Sequence, residues 1–178
     1  PAILLAIVFP LSPTKTSGSQ ALSISPPDNM WLIVVLGDSN AAGQAPLTGT
    51  VFPAAFQNRL WTFTRGGTWQ PMFDPMASTD YGSLYPVLEA TPIGSGLALS
   101  LAQELAGLTA NVNISVVNVG VGGSSDIQRL PSFDTDTIYG ASRALIKAAM
   151  TNGKVKMAVY SAGVREAQNL TAANSLAE

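Results

Sequence analysis

The sequence contains no cysteine and no histidine. Without cysteine there is neither a disulfide framework nor a thiolate metal site. Without histidine as well, the side chains that most often hold a catalytic zinc are missing. We therefore predict that the chain uses no metal and no other cofactor.

Charge is also scarce, because Asp, Glu, Lys and Arg make up 11% of the residues, against about 25% in typical soluble domains. The net charge of -2 provides no field that would attract nucleic acid or an anionic membrane surface, and we expect neither as a partner. Such a surface is typical of an extracellular protein, or of one covered by neighbouring chains or glycans, and it leaves self-association open.

The 178 residues, 47% of them hydrophobic, are enough for one domain with its own core. Residues 1–11 are apolar and are followed by a polar stretch that ends at Ser19-Gln20-Ala21. This pattern predicts the remnant of a secretory signal peptide over residues 1–21, too short to span a bilayer. A buried arm or strand is the alternative. We predict a lead-in segment over 22–30, a folded domain over 31–178, and secretion.

Two Asn-x-Ser/Thr triplets, at Asn113 and Asn169, would accept glycans in a eukaryotic secretory route. Asn113 directly precedes a predicted core strand, where attachment is sterically allowed but not required. The sequence does not decide whether either asparagine is glycosylated.

Apolar runs rich in β-branched residues predict strands that are covered on both faces. They lie at 32–36, 113–121 and 155–160. A further strand is predicted at 58–63, and residues 66–75 read as a turn with aromatic anchors.

Two segments show helical periodicity. The first follows Pro92 and carries an apolar stripe of Leu97, Leu101, Leu105 and Leu108. The second is predicted from Tyr139 to Met150 and stops at Asn152-Gly153; its predicted packing residues are Ala144, Ile146, Ala148 and Ala149.

Strands that alternate with helices predict a three-layer α/β/α sandwich around a central parallel sheet. Ligands of such sheets bind at the carboxyl ends of the strands. All three buried strands end in small polar or glycine residues, so we expect Ser39, Gly122 with Gly123, and Ser161 with Gly163 to converge there.

Ser39 stands at the end of the first strand, in the sequence Gly37-Asp38-Ser39-Asn40. A serine held at a helix start can attack an ester while its own backbone N–H points at the developing negative charge. The Gly122-Gly123 turn can present a second N–H, since glycine lets the backbone approach a ligand closely. Alternatively, Ser39 caps the following helix and the glycine pair is a plain turn.

Several blocks in the same order resemble the SGNH (GDSL-like) hydrolases, in particular the sialate O-acetylesterase and acetylxylan esterase branch. VVLGDSNAAGQAPL is similar to its first block, WQPMFDP to its Trp-x-Pro segment, IGSGLALSLAQELA to its helix and VVNVGVGGSSDIQRL to its paired-glycine block. The resemblance spans about Trp31 to Gln168 and implies the flavodoxin-like fold of these enzymes, here lacking its C-terminal part.

The resemblance implies that Ser39 is the catalytic nucleophile, and that Ser39 and Gly123, with Gly122 beside it, are the oxyanion donors. Asp38 stands where this branch usually has Gln, and Asp is the general GDSL choice. Asp38, Asn40 and Gly163 are the weaker candidates for substrate contacts.

The third block of the family departs from its pattern in this chain. Ala162 and Val164 stand where the family has a Gln, which would donate to the oxyanion, and a Glu. The family's base comes from an Asp-x-x-His segment, and this sequence ends at Glu178 before such a segment. We expect either that the sequence is truncated and the base lies downstream, or that the domain has lost its catalytic activity.

The resemblance thus implies a serine esterase that removes acetyl groups from sugars. Without the base, the 178-residue sequence would be inactive. The alternative is a non-catalytic carbohydrate-binding or structural module of an extracellular assembly. Trp61, Trp69 and Tyr81 could stack on sugar rings under either interpretation, or serve as hydrophobic anchors.

Overall fold

The protein is described by a computed structural model that covers residues 25–43, 45–46, 56, 58–72, 83–88 and 94–161. Strands and helices alternate along the second half of this range. In chain order the elements are β1 (Met30–Gly37), α1 (Ser39–Ala42), β2 (Ala45–Pro46), β3 (Leu60–Phe63), β4 (Trp69–Pro71), β5 (Gly94–Ser95), α2 (Leu97–Leu108), β6 (Ile114–Asn118), α3 (Ile138–Ala149) and β7 (Gly153–Ser161).

Among the described residues, the main sheet has five strands in the order β4-β3-β6-β1-β7. β1 pairs in parallel with β6 on one side and β7 on the other, and β3 pairs in parallel with β6. Only β4 in this sheet runs antiparallel, against β3. The predicted parallel sheet is therefore confirmed, with an antiparallel strand added at one edge.

Alternate side chains of β1 enter two separate cores. Ile33 and Val35 pack with α2 on one face of the sheet, and Leu32 and Val34 pack with α3 on the other. Because successive strand residues point to opposite faces, the two helices lie on opposite sides of the sheet. The three-layer α/β/α sandwich is confirmed.

The buried face of α2 differs from the predicted leucine stripe. Its fully buried residues are Ala98, Leu99, Ala102 and Ala106, whereas Leu97, Leu101 and Leu105 are only partly buried against the core. Leu108 is 80% exposed. The predicted helix is confirmed, and three leucines of its stripe pack against the core. Its fully buried face, however, is formed mainly by alanines, and the leucines flank it.

Helix α3 also uses a face slightly rotated from the predicted one. Ile138, Ala141, Leu145 and Ala149 are buried, Ala144 and Ile146 are half-buried, and Ala148 is exposed. The helix begins at Thr137, whose hydroxyl accepts from the Gly140 N–H at 3.1 Å. The predicted stop at Asn152-Gly153 is confirmed by the turn that leads into β7.

The segment predicted as a turn at 66–75 contains a strand. A turn over Arg65–Gly67 leads into β4, and Phe63 and Trp69 pair across it with ring centroids 4.9 Å apart. Pro71 is tolerated because β4 is an edge strand. The sequence did not reveal this strand because three residues give no visible periodicity.

The aromatic residues proposed for sugar stacking serve as anchors where they are described. Trp61 is only 4% exposed, and Trp69 is half-buried, with its indole N–H donating to Asn152 Oδ1 at 3.1 Å. Tyr81 lies outside the described residues, as do residues 1–21 of the predicted leader and Asn169. Within the described part of the chain, no helix is long and apolar enough to cross a membrane.

Candidate active site

The turn after β1 is built around Gly37. Its φ is +133°, and a Cβ placed on it would lie 1.8 Å from the backbone oxygen of Ser161. The next amide, that of Asp38, donates to the same Ser161 oxygen at 2.9 Å. Only glycine allows both the backbone angle and this close approach, so the end of β1 is fixed against the end of β7.

Asp38, and not Ser39, caps the short helix that follows. Asp38 is 4% exposed, and its carboxylate accepts from the Asn40 N–H at 3.1 Å. Ser39 is the half-buried first residue of α1, and the helix ends after a single turn at Gly43 with φ +89°. The Ser39 hydroxyl is therefore not used as the helix cap. Because α1 has only four residues, its dipole at Ser39 is smaller than expected.

Helix α1 lies directly against the end of β6. A Cβ on Gly120 would be 2.6 Å from the Ala42 nitrogen and 2.7 Å from the Ala41 carbonyl carbon. Ala41 and Ala42 are themselves buried. The helix that carries Ser39 therefore lies in backbone contact with the segment that leads to Gly122.

Asn118, the last residue of β6, ties these two segments together. Its side-chain amide donates to the Ala41 carbonyl at 2.8 Å, and its side-chain oxygen accepts from the Gly120 N–H at 2.9 Å. Sequence reasoning missed this residue. A signal was present, since Asn118 is a polar side chain inside the apolar run VVNVGV, and buried polar groups are usually hydrogen-bonded.

The paired glycines follow a residue that is bonded to the nucleophile turn. The Val121 N–H donates to the Gly37 carbonyl at 2.9 Å, and the Ser124 N–H turns back to the Val121 carbonyl at 3.3 Å. Gly122 is half-buried, and Gly123 is exposed with φ +71°. The loop is thus anchored at its first residue, and the glycines form its tip.

The structure brings three of the predicted segments to one end of the sheet. Gly37 is paired with Ser161 in register, and it is bonded to Val121, so Ser39, Gly122 with Gly123, and Ser161 share this edge. Gly163, Ala162 and Val164 lie outside the described residues. Asn40 is exposed and borders a cavity of about 320 Å³ that is also lined by Ser95, Gly96 and Leu97.

A buried cation reaches the same edge. Arg65 is 1% exposed and donates through Nη2 to the Gly120 carbonyl. Its Nε and Nη1 have no hydrogen-bond partner among the described residues, and burial lowers the pKa of the Arg65 guanidinium to about 10. Sequence reasoning gave no signal for this residue, which sits in a polar Thr-Arg-Gly-Gly turn.

No group of three or more His, Cys, Asp or Glu side chains in the described ranges could hold a metal ion. The described residues offer a hydroxyl, backbone amides and the bordering cavity at this edge. Such a set can attack and stabilise an ester carbonyl when a proton acceptor is present.

Comparisons with known proteins bear on the family and the fold of the chain. The family model described as "Carbohydrate esterase, sialic acid-specific acetylesterase" matches residues 29–178. No curated protein sequence matches the chain.

Two solved structures resemble the fold. A protein from Arabidopsis thaliana, solved by X-ray at 1.6 Å, has a TM-score of 0.63 and 14% identity, over 84% of this chain and 64% of its own. NanS has a TM-score of 0.54 and 19% identity, over 80% of this chain and 56% of its own. The chain therefore spans less than two thirds of the length of either structure.

Proposed function

The chain belongs to the sialic acid-specific acetylesterase family of carbohydrate esterases, and we propose that its Ser39 is the nucleophile of a sugar O-acetylesterase. The substrate class is an acetylated carbohydrate. The proposal also includes secretion, on the pattern of residues 1–21.

In this mechanism the Ser39 hydroxyl attacks the acetyl carbonyl while its proton passes to a base. The negative charge that forms on the carbonyl oxygen is stabilised by the N–H groups of Ser39 and Gly123. Collapse breaks the bond to the sugar oxygen, which takes the proton from the base and leaves as the sugar hydroxyl, while acetyl-Ser39 remains. Water then attacks this ester, releases acetate and restores the serine.

The hydrogen bond from the Val121 N–H to the Gly37 carbonyl is the observation that carries the proposal. It joins the turn that carries Ser39 to the loop that carries Gly123. Attack and charge stabilisation must act on one carbonyl group, and this bond supports a common location for both. The proposal places the sugar in the cavity that is lined by Asn40, the residue after Ser39.

The proposal assigns the role of base to no residue of this sequence. The 178 residues contain no histidine, and exposed carboxylates are weak bases toward a serine hydroxyl. Added imidazole can stand in for the missing group, which makes the proposal testable on the chain as it is.

A second candidate is a domain that binds acetylated sugar without cleaving it. Ala162 and Val164, at the positions where the family has Gln and Glu, support this candidate. Losing one oxyanion donor typically lowers the rate about 10²- to 10³-fold. The same cavity would then hold the sugar.

The test measures acetate release from an O-acetylated sugar, with and without added imidazole, for the wild-type chain, Ser39→Ala and the control Ser100→Ala. Ser100 is exposed on α2. We expect imidazole to raise the rate of the wild type and of the control at least about tenfold above that of Ser39→Ala. Equal rates for all three would overturn the esterase proposal; sugar binding by calorimetry would then favour the second candidate.

A further inference from the structure

Arg129 bridges two segments of the candidate site. It closes the 3-10 turn Asp126–Arg129 that follows the glycine loop. Its Nη2 donates to the Gly37 carbonyl and to the Ser124 hydroxyl, and its Nη1 donates to the Ser125 carbonyl at 3.2 Å. One guanidinium therefore contacts both the end of β1 and the loop that carries Gly123.

Arg129 contacts β1 at the Gly37 carbonyl, two residues before Ser39. The Gly37 carbonyl accepts from the Val121 N–H as well as from Arg129. The same peptide unit is also held on the side of β7, because the Asp38 N–H donates to the Ser161 carbonyl at 2.9 Å. Hydrogen bonds from a charged donor are about twice as strong as neutral ones, so Arg129 reinforces this junction.

Hydrogen bonds hold the loop to β1 here, in addition to the packing of Val119 and Val121 in the core on the side of α3. On the side of α3, Arg129 borders a cavity of about 280 Å³ lined by Leu36, Val119 and Ile138 among others. The Ser124 hydroxyl, which accepts from Arg129, itself donates to the Val121 carbonyl. The side chain thus braces both ends of the 121–124 turn.

We propose that Arg129 is a positioning residue that fixes the spacing between the Ser39 turn and the Gly122-Gly123 loop. Its consequence for ester hydrolysis rests on the proposed function. The positional role itself does not, because it concerns contacts within the chain.

Geometry explains why arginine is needed. The planar guanidinium presents several N–H groups in a fixed fork, whereas a lysine ammonium is a single point charge. Lysine can keep the charge and reach one acceptor, but it cannot contact Gly37 and Ser125 together in this geometry. Arg129→Lys therefore keeps the positive charge but removes the forked arrangement of N–H groups.

Amide hydrogen exchange, followed by NMR without substrate, tests this role. Two amides of the loop segment serve as a matched pair: Val119 N–H bonds to the Val35 carbonyl and Val121 N–H to the Gly37 carbonyl, both at 2.9 Å. Of these two carbonyls, Arg129 contacts that of Gly37. The variants are Arg129→Gln and Arg129→Lys, with Arg143→Gln as control, since Arg143 is exposed on α3 and stacks on Phe133 at 4.8 Å.

In both Arg129 variants we expect exchange at Val121 to accelerate at least tenfold, while Val119 and the melting temperature stay near the wild-type values. Arg143→Gln should change neither amide. Unchanged exchange at Val121, or equal acceleration at both amides, would overturn the proposal, and so would unfolding of both variants. A wild type that releases no acetate, with the Val121 result as expected, would instead count against the proposed function alone.

Discussion

At the scale of single residues, the site depends most directly on Gly37. We predict that Gly37→Ala lowers the free energy of unfolding by at least about 3 kcal/mol, because a positive φ and a contact of 1.8 Å with the Ser161 oxygen must both be relieved. Urea denaturation measures the change.

The matched control for this substitution is Gly107→Ala in α2, where an added Cβ meets no atom within 4 Å. There we expect stabilisation by up to about 1 kcal/mol, since alanine favours the helix over glycine. A Gly37→Ala variant as stable as the wild type would show that the β1 turn is not held as described.

Arg65 is a second residue whose environment has a measurable consequence. Burial lowers the pKa of its guanidinium to about 10, so the folded chain holds this proton less tightly than the unfolded chain does. The resulting cost to stability is fully present at neutral pH and fades as the pH rises above about 10.

We therefore predict that Arg65→Met raises the free energy of unfolding at pH 7 by about 1 kcal/mol, although it removes the bond to the Gly120 carbonyl. Exchanging a buried charge for an apolar side chain of similar volume is often stabilising. The gain over the wild type should shrink above pH 10. Destabilisation at pH 7, in denaturation followed by circular dichroism, would contradict the prediction and would mean that the Arg65 guanidinium stabilises the fold by more than its burial costs.

At the scale of elements, apolar runs were predictable and contact faces were not. β1 and β6 stood out because parallel strands buried in a sheet leave continuous apolar segments in the sequence. β7 was predicted from the same kind of apolar run, but the expectation that it is covered on both faces was wrong for the described residues, because most of its side chains are exposed. The short β4 left no pattern, and the leucine stripe of α2 lies beside the fully buried face of the helix and not on it. In that helix, close approach favours alanine, and an exposed leucine such as Leu108 looks the same in a sequence as a buried one.

The same limit applies to the site. Ser39 and the paired glycines were found because a motif names them, and the ends of parallel strands meet at one edge. Asn118 and Arg129 were missed because their roles depend on partners 77 and 92 residues away in the sequence. Contacts of that range are set by the sheet order, which local patterns do not encode.

At the scale of the whole molecule, β7 is the strand least covered by the described residues. It pairs with β1 on one side, and Val155, Met157 and Tyr160 are exposed along it. A cavity of about 490 Å³ lies between β7 and α3. The exposed apolar residues favour contact with a second chain, whereas Lys154 and Lys156 are charges that discourage pairing at a strand edge. Self-association therefore stays a prediction.

The central claim is that Ser39 and the glycine loop act on one and the same group. Labelling Ser39 with a fluorophosphonate at high concentration expels fluoride and places a tetrahedral phosphorus, with its strongly polarised phosphoryl oxygen, where the esterase intermediate would form. The NMR signal of the Gly123 amide proton then reports directly on the geometry. We predict that it moves downfield in the adduct while an amide remote from the site, such as that of Ala106, does not; a Gly123 signal unchanged in fully labelled protein would contradict the claim.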